Sequence, residues 1–127
     1  LYLFESAIDL LSFAAMAQED RLPWRSQHLL SLAGVYQPKK NLTDRHLPLA
    51  LSQYLRDHRE IQTIYLCLDN DLAGRSAADA IRQQLAGKYV VRDGFPCQGK
   101  DYNDWLCLRK GLPITRTVPK TERSIAR

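Results

Sequence analysis

The 127-residue chain is 45% apolar and 25% charged, the make-up of one ordinary globular domain with a single hydrophobic core, which excludes a disordered or low-complexity polypeptide. No apolar run approaches the roughly 20 residues of a membrane helix, and the stretch 1–11 is interrupted by Glu5 and Asp9, so neither a membrane span nor a signal peptide is expected. The net charge of +4 gathers at the end: Arg116, Lys120, Arg123 and Arg127 against Glu122 give +3, leaving residues 1–110 close to neutral and without an obvious phosphate-binding stripe.

Residues 1–4, Leu-Tyr-Leu-Phe, are wholly apolar and predict a strand buried on both faces of a parallel sheet. From Ser6, an N-cap by residue type, the pattern turns helical to about Gln18, with Ile8, Leu11 and Ala15 on one stripe flanked by Leu10 and Ala14. A polar stretch broken by Pro23 leads to a second strand over 28–32, which ends before a turn at Gly34. After a loop at 41–45, Leu47, Leu51, Tyr54 and Leu55 recur at helical spacing to about His58, with Pro48 in the first turn. Residues 63–68 carry the strongest strand signal and run directly into Asp69-Asn70-Asp71. A helix over 73–86 places Ala77, Ala80, Ile81 and Leu85 on one face and stops at Gly87. Residues 89–91 give a fourth strand, followed by a Pro96/Gly99 loop, the segment 100–104, a short helix over 105–108 and the basic tail.

Strands alternating with helices require crossover connections, hence an α/β fold with about four mostly parallel strands and helices on both faces. Residues 1–110 form this domain, and 111–127 are expected to be a partly disordered basic tail. The chain starts at Leu1 and enters an apolar segment at once, which we read as a domain of a longer protein whose other domains are its partners. Cys67, Cys97 and Cys107 show no CxxC pair and have no histidine near them at zinc-ligand spacing, so no zinc site is expected. The odd count fits a reducing, cytoplasmic setting, with Cys67 as a small core residue.

Ligands of open parallel sheets gather beyond the carboxyl ends of the strands. Two strands end there on acid, Glu5 after the first and Asp69 with Asp71 after the third. Two aspartates two residues apart at a strand end offer hard oxygen donors to a cation that keeps several waters and bridges to phosphate, which describes Mg²⁺ better than zinc. Gly74 lets the chain turn into a helix whose N-terminus lies near the site. Asp9, one helical turn past Glu5, either joins the acids or faces solvent, and Asp71 is also a natural cap of the next helix. The segment 69–74 imitates the start of an EF-hand loop, but Ala73 stands at the fifth position, Ala80 at the twelfth, and a strand precedes it. It also resembles the strand-end aspartates of haloacid-dehalogenase phosphatases, although Ala73 stands where that family has Thr or Val.

The series Phe4-Glu5-Ser6-Ala7-Ile8-Asp9, Ser31-Leu32-Ala33-Gly34, Leu68-Asp69-Asn70-Asp71-Leu72-Ala73-Gly74-Arg75, then Pro96 and 99–106, resembles the Toprim family of primases, topoisomerases and nucleases, and covers residues 1–110. Within that family it is most similar to the primase-type branch, in particular to Toprim-like domains of mobile-element and plasmid proteins that act in DNA replication. The resemblance implies a nucleotidyltransferase or nuclease domain with DNA or RNA, and nucleotides, as partners. It assigns Glu5 as general acid/base or metal ligand, and Asp69 and Asp71 as ligands of Mg²⁺, or of Mn²⁺ in its place. It adds Lys100 as a phosphate contact and Asp101 and Asp104 as a late acidic patch, for which a surface turn and helix cap is an equal reading. Ser6 replaces the glycine that commonly follows the glutamate. A topoisomerase needs a tyrosine nucleophile, and none of Tyr2, Tyr36, Tyr54, Tyr65, Tyr89 and Tyr102 has a context that singles it out. The alternatives are a non-catalytic module that binds nucleic acid or protein and, third, a dehalogenase-type phosphatase.

Overall fold

The computed structural model describes residues 1–33 and 47–114. The predicted turn at Gly34, the loop at 41–45 and the tail from residue 115 onward lie outside the described residues. Four short strands, β1 (Tyr2–Phe4), β2 (Leu29–Ser31), β3 (Thr63–Leu66) and β4 (Val90–Asp93), alternate with four helices, α1 (Ala7–Glu19), α2 (Leu49–Asp57), α3 (Leu72–Leu85) and α4 (Tyr102–Arg109). All strand pairs are parallel, in the order β2-β1-β3-β4. The predicted α/β sandwich is therefore the fold.

Alternation along the strands makes both faces of the sheet apolar. Leu3, Ile64, Leu66 and Leu68 meet Leu51 and Leu55 of α2 and Ala77, Ala78, Ile81 and Leu85 of α3 on one side. Phe4 and Cys67, with the partly buried Tyr2 and Tyr65, meet Met16 and Phe13 of α1 and Tyr102, Trp105 and Leu106 of α4 on the other. Phe4 and Phe13 both pack against the Tyr102 ring edge-on, at 5.5 and 5.7 Å between centroids. Burial pushes the Cys67 thiol up to about 12, so it is a neutral core group at any working pH.

Several boundaries differ by one or two residues from the sequence expectation; the second strand is Leu29–Ser31, the fourth Val90–Asp93 and the third helix Leu72–Leu85. The third strand stops at Leu66, although Cys67 and Leu68 stay buried. Pro48 is the residue before α2 rather than part of its first turn. The last helix starts at Tyr102 because Asp101 caps it.

The larger correction concerns α1. Ile8 and Leu11 of the predicted stripe are 56% and 61% exposed and Ala15 is also exposed, while Asp9, Ser12, Met16 and Ala17 face inward. Buried polar groups must find partners, and α4 supplies them. The Asn103 amide donates to Asp9 Oδ1 at 3.1 Å, and Ser12 Oγ lies 3.4 Å from Asn103 Oδ1 while donating to the Ile8 carbonyl at 2.7 Å. The rotational setting of α1 follows these bonds and not its most apolar stripe.

From β1 the chain moves outward to β2, then returns across β1 to β3 and continues to β4. The direction reverses between β1 and β3, and their carboxyl ends flank the crevice where open α/β sheets hold ligands.

Candidate metal centre

Of the helices that begin at this end of the sheet, three open in the same way. Ser6, Asp71 and Asp101 are extended, with φ of −137°, −138° and −139°, and each side chain accepts from the backbone amide three residues on: Asp9, Gly74 and Asp104. Residues with short oxygen-bearing side chains at these positions satisfy amides that the helix leaves unpaired. The caps aim the positive ends of three helix dipoles at one place, where they favour negative charge.

That place is filled with carboxylates. Glu5 follows Phe4 and is only 7% exposed; Asp9, on the first turn of α1, is 4% exposed. Asp69 follows Leu68 with a largely covered side chain. Asp101 and Asp104 are buried at the start of α4, Asp104 Oδ2 accepting from the Lys100 amide at 3.0 Å. Oxygen atoms of Asp9, Asp69 and Asp101 all lie within 4.8 Å of one another, close enough to share one cation. Glu5 and Asp69 are close enough for each carboxyl to perturb the other. Asp71 flanks them, its Oδ1 capping α3 at 2.7 Å from the Gly74 amide and its Oδ2 lying 3.4 Å from Lys100 Nζ.

Of the acids expected from β1 and β3, Asp69 belongs to the trio, Glu5 lies beside Asp69, and Asp71 stands at the flank as a helix cap; Asp9 and Asp101, secondary in the sequence, are the other two members. Asp9 faces the site and not solvent. Asp101 is at once a helix cap and a member of the trio, so the two readings of that residue describe one arrangement. Lys100 pairs with Asp71 and lies 3.9 Å from Asp69, the countercharge of the cluster. Ser6 donates to Asp9 Oδ2 at 2.8 Å, a bond that a glycine there lacks. Sequence reasoning missed Ser12 and Asn103; the available signal was two polar residues one turn apart, Asp9 and Ser12, inside an otherwise apolar helix.

Two glycines beside the acidic cluster are required by close approach. A Cβ on Gly74 would stand 1.9 Å from the Asp69 carbonyl oxygen, so Gly74 serves packing inside the first turn of α3 and not the turn into it. Gly99 has φ +74°, and a Cβ there would meet Asp104 Cβ at 2.4 Å.

Crowding sets the electrostatics. Burial raises the Glu5 carboxyl above its ordinary value, with the charges of Asp71 and Asp9 adding to the shift and Asp69 and Lys100 opposing it. Burial is also the main reason Asp69 is raised, to about 8, followed by Glu5, Asp9 and Asp101. Groups that resist ionisation in this way hold a site that gains from a divalent cation, and an all-oxygen, carboxylate-rich donor set suits a hard one. The residues therefore fit the metal that the resemblance implies.

The sequence matches the Toprim-like family profile over residues 2–106. The chain belongs to the Toprim-like family. Neither a curated protein nor a solved structure shows a significant match. Membership makes metal-dependent processing of nucleic acid the general class of activity, and the acidic cluster is compatible with metal binding. Among the described residues no helix is long and apolar enough to cross a membrane.

Proposed function

We propose that this Toprim-like domain supports Mg²⁺-dependent phosphoryl-transfer chemistry on DNA or RNA, either primase-like nucleotidyl transfer or phosphodiester cleavage, within a cytoplasmic protein whose other domains complete the activity. The observation that carries the reading is the convergence of Glu5, Asp9, Asp69, Asp71 and Asp101 from two adjacent strand ends and two helix starts beside Lys100.

Bound Mg²⁺, or Mn²⁺ in its place, neutralises charge on phosphate oxygens. Asp69 and Asp71 are the ligands carried over from the family pattern, with Asp9 and Asp101 completing the donor set by position. Glu5 suits proton transfer: burial, followed by the charges of Asp71 and Asp9, raises its carboxyl above the ordinary value, so it holds a proton more readily than a free glutamate. Lys100 offers a positive charge at the rim, where phosphate would approach. The dehalogenase-type alternative asks Asp69 to attack as a free carboxylate, and its burial against Glu5 opposes that role.

The near-neutral composition of residues 1–110 favours, as a second reading, a module that binds without turnover. Primer-synthesis and nuclease assays with Mg²⁺ and with chelator separate the two. Turnover that needs Mg²⁺ and is lost in Asp69→Asn and Asp71→Asn is expected. Binding without turnover would favour the module, and turnover unchanged by both substitutions would end the proposal.

A further inference from the structure

We propose that His28, His58 and Glu60 form a second metal site, for Zn²⁺, at the opposite end of the sheet from the acidic centre. His28 immediately precedes β2, His58 closes α2, and Glu60 lies in the turn that leads to β3. The His58 carbonyl accepts from the Ile61 amide at 3.2 Å, which fixes Glu60 relative to His58. The crossover from β2 through α2 to β3 thus brings together two histidines that are thirty residues apart in sequence.

Donor spacing points to a shared ion. Two donors about 2.0–2.1 Å from a tetrahedral zinc stand roughly 3.3–3.4 Å apart. Glu60 Oε1 lies 3.3 Å from His28 Nε2 and 3.4 Å from His58 Nδ1, and donor atoms of all three residues fall within 4.8 Å of one another. Charge-assisted hydrogen bonds to a carboxylate are shorter, about 2.7–2.9 Å. The spacing suits ligands around one centre.

A supporting group completes the pattern. The Tyr54 hydroxyl is 2.7 Å from His28 Nδ1, the ring nitrogen that faces away from Glu60. With Nδ1 carrying the proton and Tyr54 accepting it, Nε2 presents its lone pair toward Glu60, the arrangement by which an outer partner orients a ligating imidazole. The Tyr54 ring also stacks on His58, 4.2 Å between centroids, so one side chain positions both imidazoles.

Two imidazoles, which are borderline donors, beside one carboxylate oxygen make a set that prefers Zn²⁺ to Mg²⁺. All three side chains retain solvent access, leaving a fourth position for water. The site is separated from Glu5 by the length of the strands, about 13 Å at about 3.3 Å per residue. Its role is to clamp the start of β2, the end of α2 and the approach to β3, and not to act on a phosphate.

Zinc binding to the chelator-treated 127-residue chain, measured by competition with a chromophoric chelator, tests this directly. One equivalent of Zn²⁺ is expected, weakened tenfold or more by His28→Ala and by His58→Ala, about tenfold by Tyr54→Phe, and unchanged by Asp69→Asn. In the unsubstituted chain, Zn²⁺ should shift the ring proton resonances of His28 and His58. The proposal is overturned if those resonances do not move, which would mean an ion pair only, or if the stoichiometric zinc survives the double histidine substitution.

Discussion

Between the sheet and the α2–α3 layer, the buried side chains of Leu3, Leu51, Leu55, Ile64, Leu66, Ile81 and Leu85 are all aliphatic. Between the sheet and the α1–α4 layer, Phe4, Met16, Cys67 and Tyr102 give way at the strand ends to Glu5, Asp9, Ser12, Asp101 and Asp104. The first layer buries apolar area and is free to optimise it. The second gives part of its interior to carboxylates that repel one another, and it orients α1 to hold them. One layer stabilises the domain, and the other holds crowded carboxylates that cost stability.

The largest effect should come from the aliphatic layer. Leu66→Ala removes a fully buried side chain and should cost about 2–5 kcal/mol in urea denaturation, while the folded fraction keeps its Mg²⁺ affinity. Equal losses of stability and affinity would show the layers to be coupled. Gly74→Ala comes next. Its methyl group must displace the Asp69 carbonyl, and a loss of about 1–3 kcal/mol together with weaker Mg²⁺ binding is expected, a pairing that Leu66→Ala should not show.

The acidic layer should respond with the opposite sign. Asp69 and Glu5 have raised carboxyl values in the folded protein, so below the ordinary carboxylate range their contribution is fully present. It is lost as pH rises toward about 8, the value for Asp69. Metal-free protein should therefore melt at a higher temperature at pH 5 than at pH 8, and Asp69→Asn should flatten that dependence while gaining about 1 kcal/mol or more at pH 8. An unchanged pH profile in Asp69→Asn would remove the electrostatic strain from the account. The smallest effect belongs to the outward stripe of α1: Ile8→Gln with Leu11→Gln should stay within about 0.5 kcal/mol by thermal melting, whereas a loss above 2 kcal/mol would mean that the stripe is buried after all.

The same contrast explains what could be read in the sequence. The aliphatic layer was legible because burial alone governs it: 63–68 read as a strand, and Leu51, Leu55, Ala77, Ile81 and Leu85 kept helical spacing. Glu5, Asp69 and Asp71 were legible as acids at strand ends. The inward face of α1 was not, because Ile8 and Leu11 outweigh Asp9 and Ser12 in any count of apolar residues, and only the start of α4, ninety residues on, supplies the bonds that reverse the choice. Asp101 read as a cap or a site residue because a local pattern cannot reveal that α4 begins against β1 and β3. The histidine pair was invisible for the same reason, since His28 and His58 meet only across a crossover.

The central claim is that the acids at the ends of β1 and β3 form a divalent-cation site whose occupancy relieves their repulsion. A Mg²⁺ titration at pH 8, followed by the melting temperature of the wild-type chain and of Asp69→Asn, tests it most directly. The account predicts that the wild-type melting temperature climbs with Mg²⁺ toward a plateau while that of Asp69→Asn starts higher and barely moves. A parallel rise in both proteins would contradict it.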